Sequence, residues 1–315
     1  MKKYYLFFIA TFLIISCSHD DVAKIDSNRE KQETVELNKL QDEFVSLNQS
    51  FNIIETRSGD WSWPRFWAIT GSDVVGAVVF GLLTGDLWGA LGGGVLSSIS
   101  SYKAGRMLDY QPGQYSPPAA NTNNFFATTT FAGYDENGLE LYYVAGELEV
   151  PEDICIEDEL SAHLGTLHNE VIITLCDHYG DSLATLSAYT IFDLSLELVA
   201  SWYGIDENNV PIFALNDDLI ASVFLENEDD FDALSDTYPA YDDLFPIVKN
   251  YIVAISQLET NGQILAYKAQ ASNLINSSNL SYIKKETLLT GLDVMVCSHG
   301  LWILEEDEEE DEEED

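Results

Sequence analysis

Leu37, Leu40, Phe44, Leu47, Phe51 and Ile54 recur at spacings of three and four with polar residues between them, the period of an amphipathic helix. The seam is shorter than the three or four heptads that a coiled coil usually shows, so it predicts a helix packed on the chain's own body. The pattern then changes. From Ala68 to Tyr102 there is no basic side chain, and Asp73 and Asp86 are the only acids. Within this apolar stretch a small residue stands at every fourth position: Ala77, Gly81, Gly85, Gly89, Gly93, Ser97, Ser101 and, just beyond it, Gly105. Residues 107–124 are rich in Pro, Asn, Gln and Tyr and predict a linker. Residues 125–150 hold β-branched and aromatic residues around a DENG turn, which predicts a short β-hairpin.

From residue 157 the period is helical again. Leu160, Leu164, Leu167, Val171 and Leu175 share one face, and similar stretches run over 184–203, 214–226, 242–258, 262–276 and 280–301. Breaks fall at GIDENN, TYPAYDD and TNGQ. The predicted fold is mainly α: a small-residue helical hairpin, an all-α C-terminal domain, and a short β-hairpin between them. The segments are 1–17 as a leader, 18–60 as tether and amphipathic helix, and 61–106 as the aromatic-flanked hairpin. They continue with 107–124 as linker, 125–304 as the acidic helical domain and 305–315 as a solvated acidic tail.

The small-residue ladder needs a physical reason, because each glycine inside a helix costs about 1 kcal/mol relative to alanine. Positions four apart stack on one face, so the ladder makes a groove in which another backbone can lie close. Ala90, Gly94 and Ser98 widen it. A single helix over this stretch would be about 50 Å long against a hydrocarbon core of about 30 Å. The TGD stretch at 84–86 supplies a turn, with Asp86 to cap the second arm and Ser72 or Asp73 the first. The preferred form is a hairpin packed on itself through Gly81, Gly89, Gly93 and Ser97. The repeat resembles the glycine zippers of some outer-membrane lipoproteins and of membrane-active bacterial peptides, and the resemblance implies close helix packing, not an activity. The groove could also receive a partner helix or a second copy. The flanks fit a lipid interface: Trp61, Trp63 and Trp67 precede the stretch, while Tyr102, Lys103 and Arg106 follow. Burial in the protein and contact with a membrane both remain open at this point.

The first residues, MKKYYLFFIATFLIISC, have a basic start and an apolar run too short to span a bilayer. IISC (Ile14 to Cys17) resembles the lipobox of bacterial lipoproteins, which implies cleavage before Cys17 and a cysteine that carries acyl chains such as palmitate. The following SHDD (Ser18 to Asp21) is similar to acidic tetrapeptides that send some Gram-negative lipoproteins to the cell surface. Those resemblances imply a lipid-anchored outer-membrane protein whose first partner is the bilayer.

Charge narrows the remaining options. Fourteen Lys and Arg against 54 Asp and Glu give a net charge of −40. Such a surface repels phosphate backbones, and no basic stripe interrupts it, so nucleic acid is not an expected partner. No HExxH, GxxxxGK or GxSxG motif is present, and the cysteines complete no zinc set. No metal, cofactor or catalytic residue is predicted. The acidic pairs Glu157/Asp158, Asp217/Asp218 and Asp229/Asp230 could serve a carboxylate-based hydrolase, but they arise freely in so acidic a chain. Beyond the leader, Cys155, Cys176 and Cys297 allow at most one internal bridge, with Cys155–Cys176 one option and buried thiols another. GTLHNEVI (165–172) and CSHGLW (297–302) look like recurring features of uncharacterised bacterial helical proteins, in which they open and close a helical domain. On that reading His168 and Asn169 bridge helices in the interior. The expected role is a non-enzymatic interaction or structural one, with a membrane-active antibacterial glycine-zipper protein or a carboxylate-based hydrolase as the alternatives.

Overall fold

The computed structural model describes residues 32–53, 67–103, 109–110, 129–134, 140–144, 156–213, 215, 220–221, 223, 228–258 and 260–303. Among these the fold is mainly α. Helix α1 covers 32–50. A π-turn, Trp67–Gly71, leads into α2 (Ser72–Thr84), and α3 (Leu87–Lys103) follows after two residues. The C-terminal part adds α4 (Ile156–Tyr179), α5 (Ala188–Trp202), α6 (Glu228–Thr237), α7 (Phe245–Gln257), α8 (Asn261–Ser277) and α9 (Tyr282–Leu301). Among the described residues the packed body is built of helices. Short antiparallel pairings join Thr129–Tyr134 to Glu140–Val144, with Phe131 opposite Tyr142, and Asp109–Tyr110 to Trp302–Ile303.

Local sequence explains most helix boundaries. α2 stops at Gly85, whose φ of 66° is a left-handed conformation that glycine adopts without strain, and its N–H bonds back to the Gly81 carbonyl. Asp86 then accepts from the Trp88 N–H at 2.7 Å and starts α3. Ser187 caps α5 through the Thr190 N–H, and Thr260 with Gln263 forms a reciprocal capping box at α8. The start of α2 departs from expectation. Neither Ser72 nor Asp73 caps it: Gly71 remains helical (φ −62°, ψ −44°), because the π-turn runs straight into the helix. Both side chains are instead fully buried.

The hairpin α2–α3 lies inside the body. α2 packs along α9, α3 packs against α4 and α5, and α9 also touches α4, α7 and α8. One continuous apolar core joins Val74, Val75 and Phe80 of α2 and Leu91, Val95 and Ile99 of α3 to Leu164, Phe192, Ile252 and Leu292. The two segments that flank the Pro-rich 107–124 stretch are therefore halves of one core. Helix α1 buries Leu37, Leu40, Phe44 and Leu47 against the same body, with Phe44 6.3 Å from Tyr251 and Phe51 5.3 Å from Tyr267 between ring centres. Ile54, the last residue of that seam, lies outside the described residues.

Of the expected C-terminal stretches, 214–226 falls mostly outside the described residues. Helix α6 is additional: its acidic sequence EDDFDALSDT carries too few apolar residues to show a period over so short a length. Among the described residues no helix is long and apolar enough to cross a membrane.

Candidate functional site

The feature singled out by sequence, the small-residue ladder, is built by the approach of α2 and α3. A Cβ on Gly93 would lie 2.5 Å from the Gly76 carbonyl oxygen and 2.6 Å from the Phe80 Cβ, and one on Gly76 would overlap the Gly93 carbonyl and the Ser97 hydroxyl. A Cβ on Gly81 would meet that of Ala90 at 3.1 Å, and one on Gly89 would overlap the Thr84 side chain. Gly81, Gly89, Gly93 and Ser97 thus face the opposite arm, and Ala77 and Ser101 are buried with them. The occupant of the groove is the chain itself.

Two members of the row behave differently. Gly85 is exposed and forms the turn, so the four-residue spacing runs through it by coincidence of length. Gly105 lies outside the described residues. The same holds for Trp61, Trp63 and Arg106, and for the side chains of Trp67, Tyr102 and Lys103 at the open end of the hairpin. Cys17 also lies outside.

Sequence reasoning missed Gly76 and Gly92. Gly92 admits the edge of Phe192, whose ring would come within 2.7 Å of a Cβ there. Phe192 in turn sits 5.4 Å from Phe80, so α5 locks into the hairpin at this notch. The available signal was the run Gly92–Gly93–Gly94: three consecutive glycines open three sides of a helix, not one face.

The two short motifs meet where α4 packs on α9. Asn169 Nδ2 donates to the Cys297 carbonyl at 2.8 Å, and its Oδ1 faces His168 Nδ1 at 2.9 Å. With the amide donating to Cys297, Oδ1 is left to accept, which places the imidazole proton on Nδ1. His168 Nε2 then faces the Ser98 hydroxyl at 3.5 Å, and a Cβ on Gly94 would lie 3.0 Å from the ring. The next residue of the second motif, Ser298, donates to the Asp73 carboxyl group. Gly165 N–H donates to Asp293 Oδ2 at 2.8 Å, and the other Asp293 oxygen pairs with Lys268. This polar seam ties α2, α3 and α4 to α9.

Its chemistry is that of an interior. Burial holds the His168 pKa down to about 4, against smaller opposing effects of Asn169, the Gly94 backbone and Asp293, so the ring is neutral at pH 7. Ser98, His168 and Asn169 have the residue types of a nucleophile, base and orienting group, yet all three are fully buried, as are Asp73 and Ser298. A buried network of this kind fixes which helix faces meet, since any other register strands a polar group. Cys176 and Cys297 are buried thiols outside any disulfide among the described residues, and Cys155 lies outside those residues. Among the described residues no cluster of three His, Cys, Asp or Glu could hold a metal ion. The side chains of Glu157/Asp158, Asp217/Asp218 and Asp229/Asp230 lie outside the described residues.

Comparison with protein-family models, with curated proteins and with solved structures finds no match.

Proposed function

We propose that the chain is a lipid-anchored cell-envelope protein, held in the outer membrane of a Gram-negative bacterium through acylated Cys17 and facing the cell surface. The observation that carries this reading is the leader ending in IISC, followed at once by SHDD. An acyl anchor needs no spanning helix, and among the described residues no helix is long and apolar enough to be one. The helical body then serves as a non-enzymatic interaction or structural module. In support, the catalytic residue types that come together, Ser98, His168 and Asn169, are sealed from solvent.

On this reading the glycine zipper is architecture: it lets two helices share the centre of the body, and external partners bind elsewhere. A membrane-damaging role would require the hairpin to leave a core that buries Val74, Val75, Phe80, Leu91 and Val95, each worth about 1.5–3 kcal/mol. Metabolic labelling with a palmitate analogue tests the anchor. The intact chain takes up label and fractionates with outer membranes, whereas Cys17→Ser does neither. Equal labelling of both, or recovery of the intact chain as a soluble protein, refutes the proposal.

A further inference from the structure

The hairpin turn, the start of α9 and the start of α1 gather at one end of the body. Lys284 Nζ pairs with Glu33 Oε2 at 3.0 Å, and the Asn279 N–H donates to Glu36 Oε1 at 3.1 Å. Ile283 reaches the turn, its Cδ1 lying 3.7 Å from where a Cβ on Gly85 would stand. This end also shows most of the large apolar side chains that the described body leaves exposed: Val35 at 68%, Leu83 at 44%, Tyr282 at 68% and Ile283 at 47%. Four such side chains from three separate segments make a cap, unlike the scattered single ones normal on a surface.

Two observations say what covers it. First, this is the end at which the chain arrives from Cys17. Gln32 is fifteen residues beyond that cysteine, a reach of about 50 Å at most, and α9 carries the rest of the body about 30 Å away from this end. Second, Lys285 stands next to Tyr282 and Ile283 with its ammonium at the surface, bonded to the Asn276 carbonyl at 2.9 Å, while Lys284 is taken up by Glu33, in a chain with only fourteen Lys and Arg against 54 acids. Apolar and aromatic tips beside a surface lysine suit the boundary between acyl chains and headgroups.

We infer that this end, carrying Val35, Leu83, Tyr282 and Ile283, rests on the lipid surface of the membrane, with the open end of the hairpin pointing away. The inference rests on the lipid-anchor reading for its setting, but its test does not. The chain Ser18–Asp315, with a hexahistidine tag in place of residues 1–17 and Cys155→Ser, is captured on vesicles of phosphatidylcholine and phosphatidylglycerol (4:1) doped with nickel-chelating lipid. The environment-sensitive fluorophore NBD is attached at Leu83→Cys, at Tyr282→Cys or, as control, at Ile212→Cys, a fully exposed site outside the cap. Capture raises emission at least twofold, with a blue shift, at 83 and 282 and leaves 212 unchanged. Val35→Cys reports on the same face should either variant fold poorly. Emission at 83, 282 and 35 that stays at the level of free protein, or that rises equally at 212, overturns the inference. Failed palmitate labelling in cells would instead count against the anchor alone.

Discussion

Gly76 and Gly93 touch through their backbones: a Cβ on Gly93 would stand 2.5 Å from the Gly76 carbonyl oxygen, closer than real Cβ atoms come. Helix propensity and packing therefore pull in opposite directions at these positions. Gly→Ala inside a helix should gain up to about 1 kcal/mol from propensity. Overpacking against backbone, which cannot swing aside as a side chain does, costs about 1–3 kcal/mol or more. Packing wins, so Gly93→Ala and Gly76→Ala each lower stability by about 1–2 kcal/mol in urea unfolding. Gly262→Ala is the control, since nothing lies within 4 Å of its Cβ position in α8, and there the gain of a few tenths survives. A stabilising Gly93→Ala would mean that the helices do not meet here.

What the sequence made legible follows from which patterns are local. The α1 seam, the turn at Gly85–Asp86 and the cap of α3 all depend on residues within one or two turns of each other. Their spacing shows them directly. The choice of Gly81, Gly89 and Gly93 as contact points was also legible, because a hairpin must fold near its midpoint. What packs on the hairpin was not. Phe192 fits the notch at Gly92 from a hundred residues away, and Asp73 meets Ser298 across most of the chain. Periodicity cannot encode such pairings, and the Pro-rich stretch at 107–124 pointed to a boundary between two segments that share one core.

Tyr251 offers a test of polar accounting. Its side chain is fully buried between α1, α9 and the hairpin, and its hydroxyl has no hydrogen-bond partner among the described residues. It occupies the space that a Cβ on Gly291 would fill. Burial raises its pKa well above the ordinary tyrosine value, with Tyr267 adding to the shift. A desolvated, unpaired hydroxyl costs about 1–3 kcal/mol. Tyr251→Phe removes it at nearly constant shape, so the variant is expected to be more stable by about 1 kcal/mol. A loss of stability on chemical denaturation would reveal a partner for this hydroxyl.

The two interior thiols should be silent until the protein unfolds. Burial pushes the Cys176 pKa up to about 12, which leaves roughly one thiolate in ten thousand at pH 8, against about a quarter for a free cysteine. Reactivity falls by about two thousandfold from ionisation alone, before exclusion of the reagent by packing. With Cys17→Ser and Cys155→Ser, Ellman's reagent is expected to find no thiol in the native protein and two in urea. Immediate reaction of either under native conditions contradicts the burial of α4 or α9.

His168 makes stability depend on pH in a definite direction. Its pKa is about 4 in the folded protein, chiefly through burial, and about 6.5 unfolded. Between those values the unfolded chain holds the extra proton, so the contribution is complete above pH 6.5 and is lost as pH falls toward 4. The loss approaches about 3 kcal/mol in full, of which about 2 fall between pH 7 and pH 5. Other groups act in the same range. His299 is also held low by burial and adds to the loss, while Glu170, Asp177 and Asp193 are raised by burial and oppose it. A raw pH profile therefore cannot isolate the ring. His168→Gln can, because only the His168 contribution disappears. The variant is less stable at pH 7, having lost the fitted contacts to Asn169 and Ser98, but its deficit should shrink by about 2 kcal/mol at pH 5. A deficit that stays constant over this interval would mean that the imidazole takes up its proton inside the fold, contrary to its sealed position between α3 and α4.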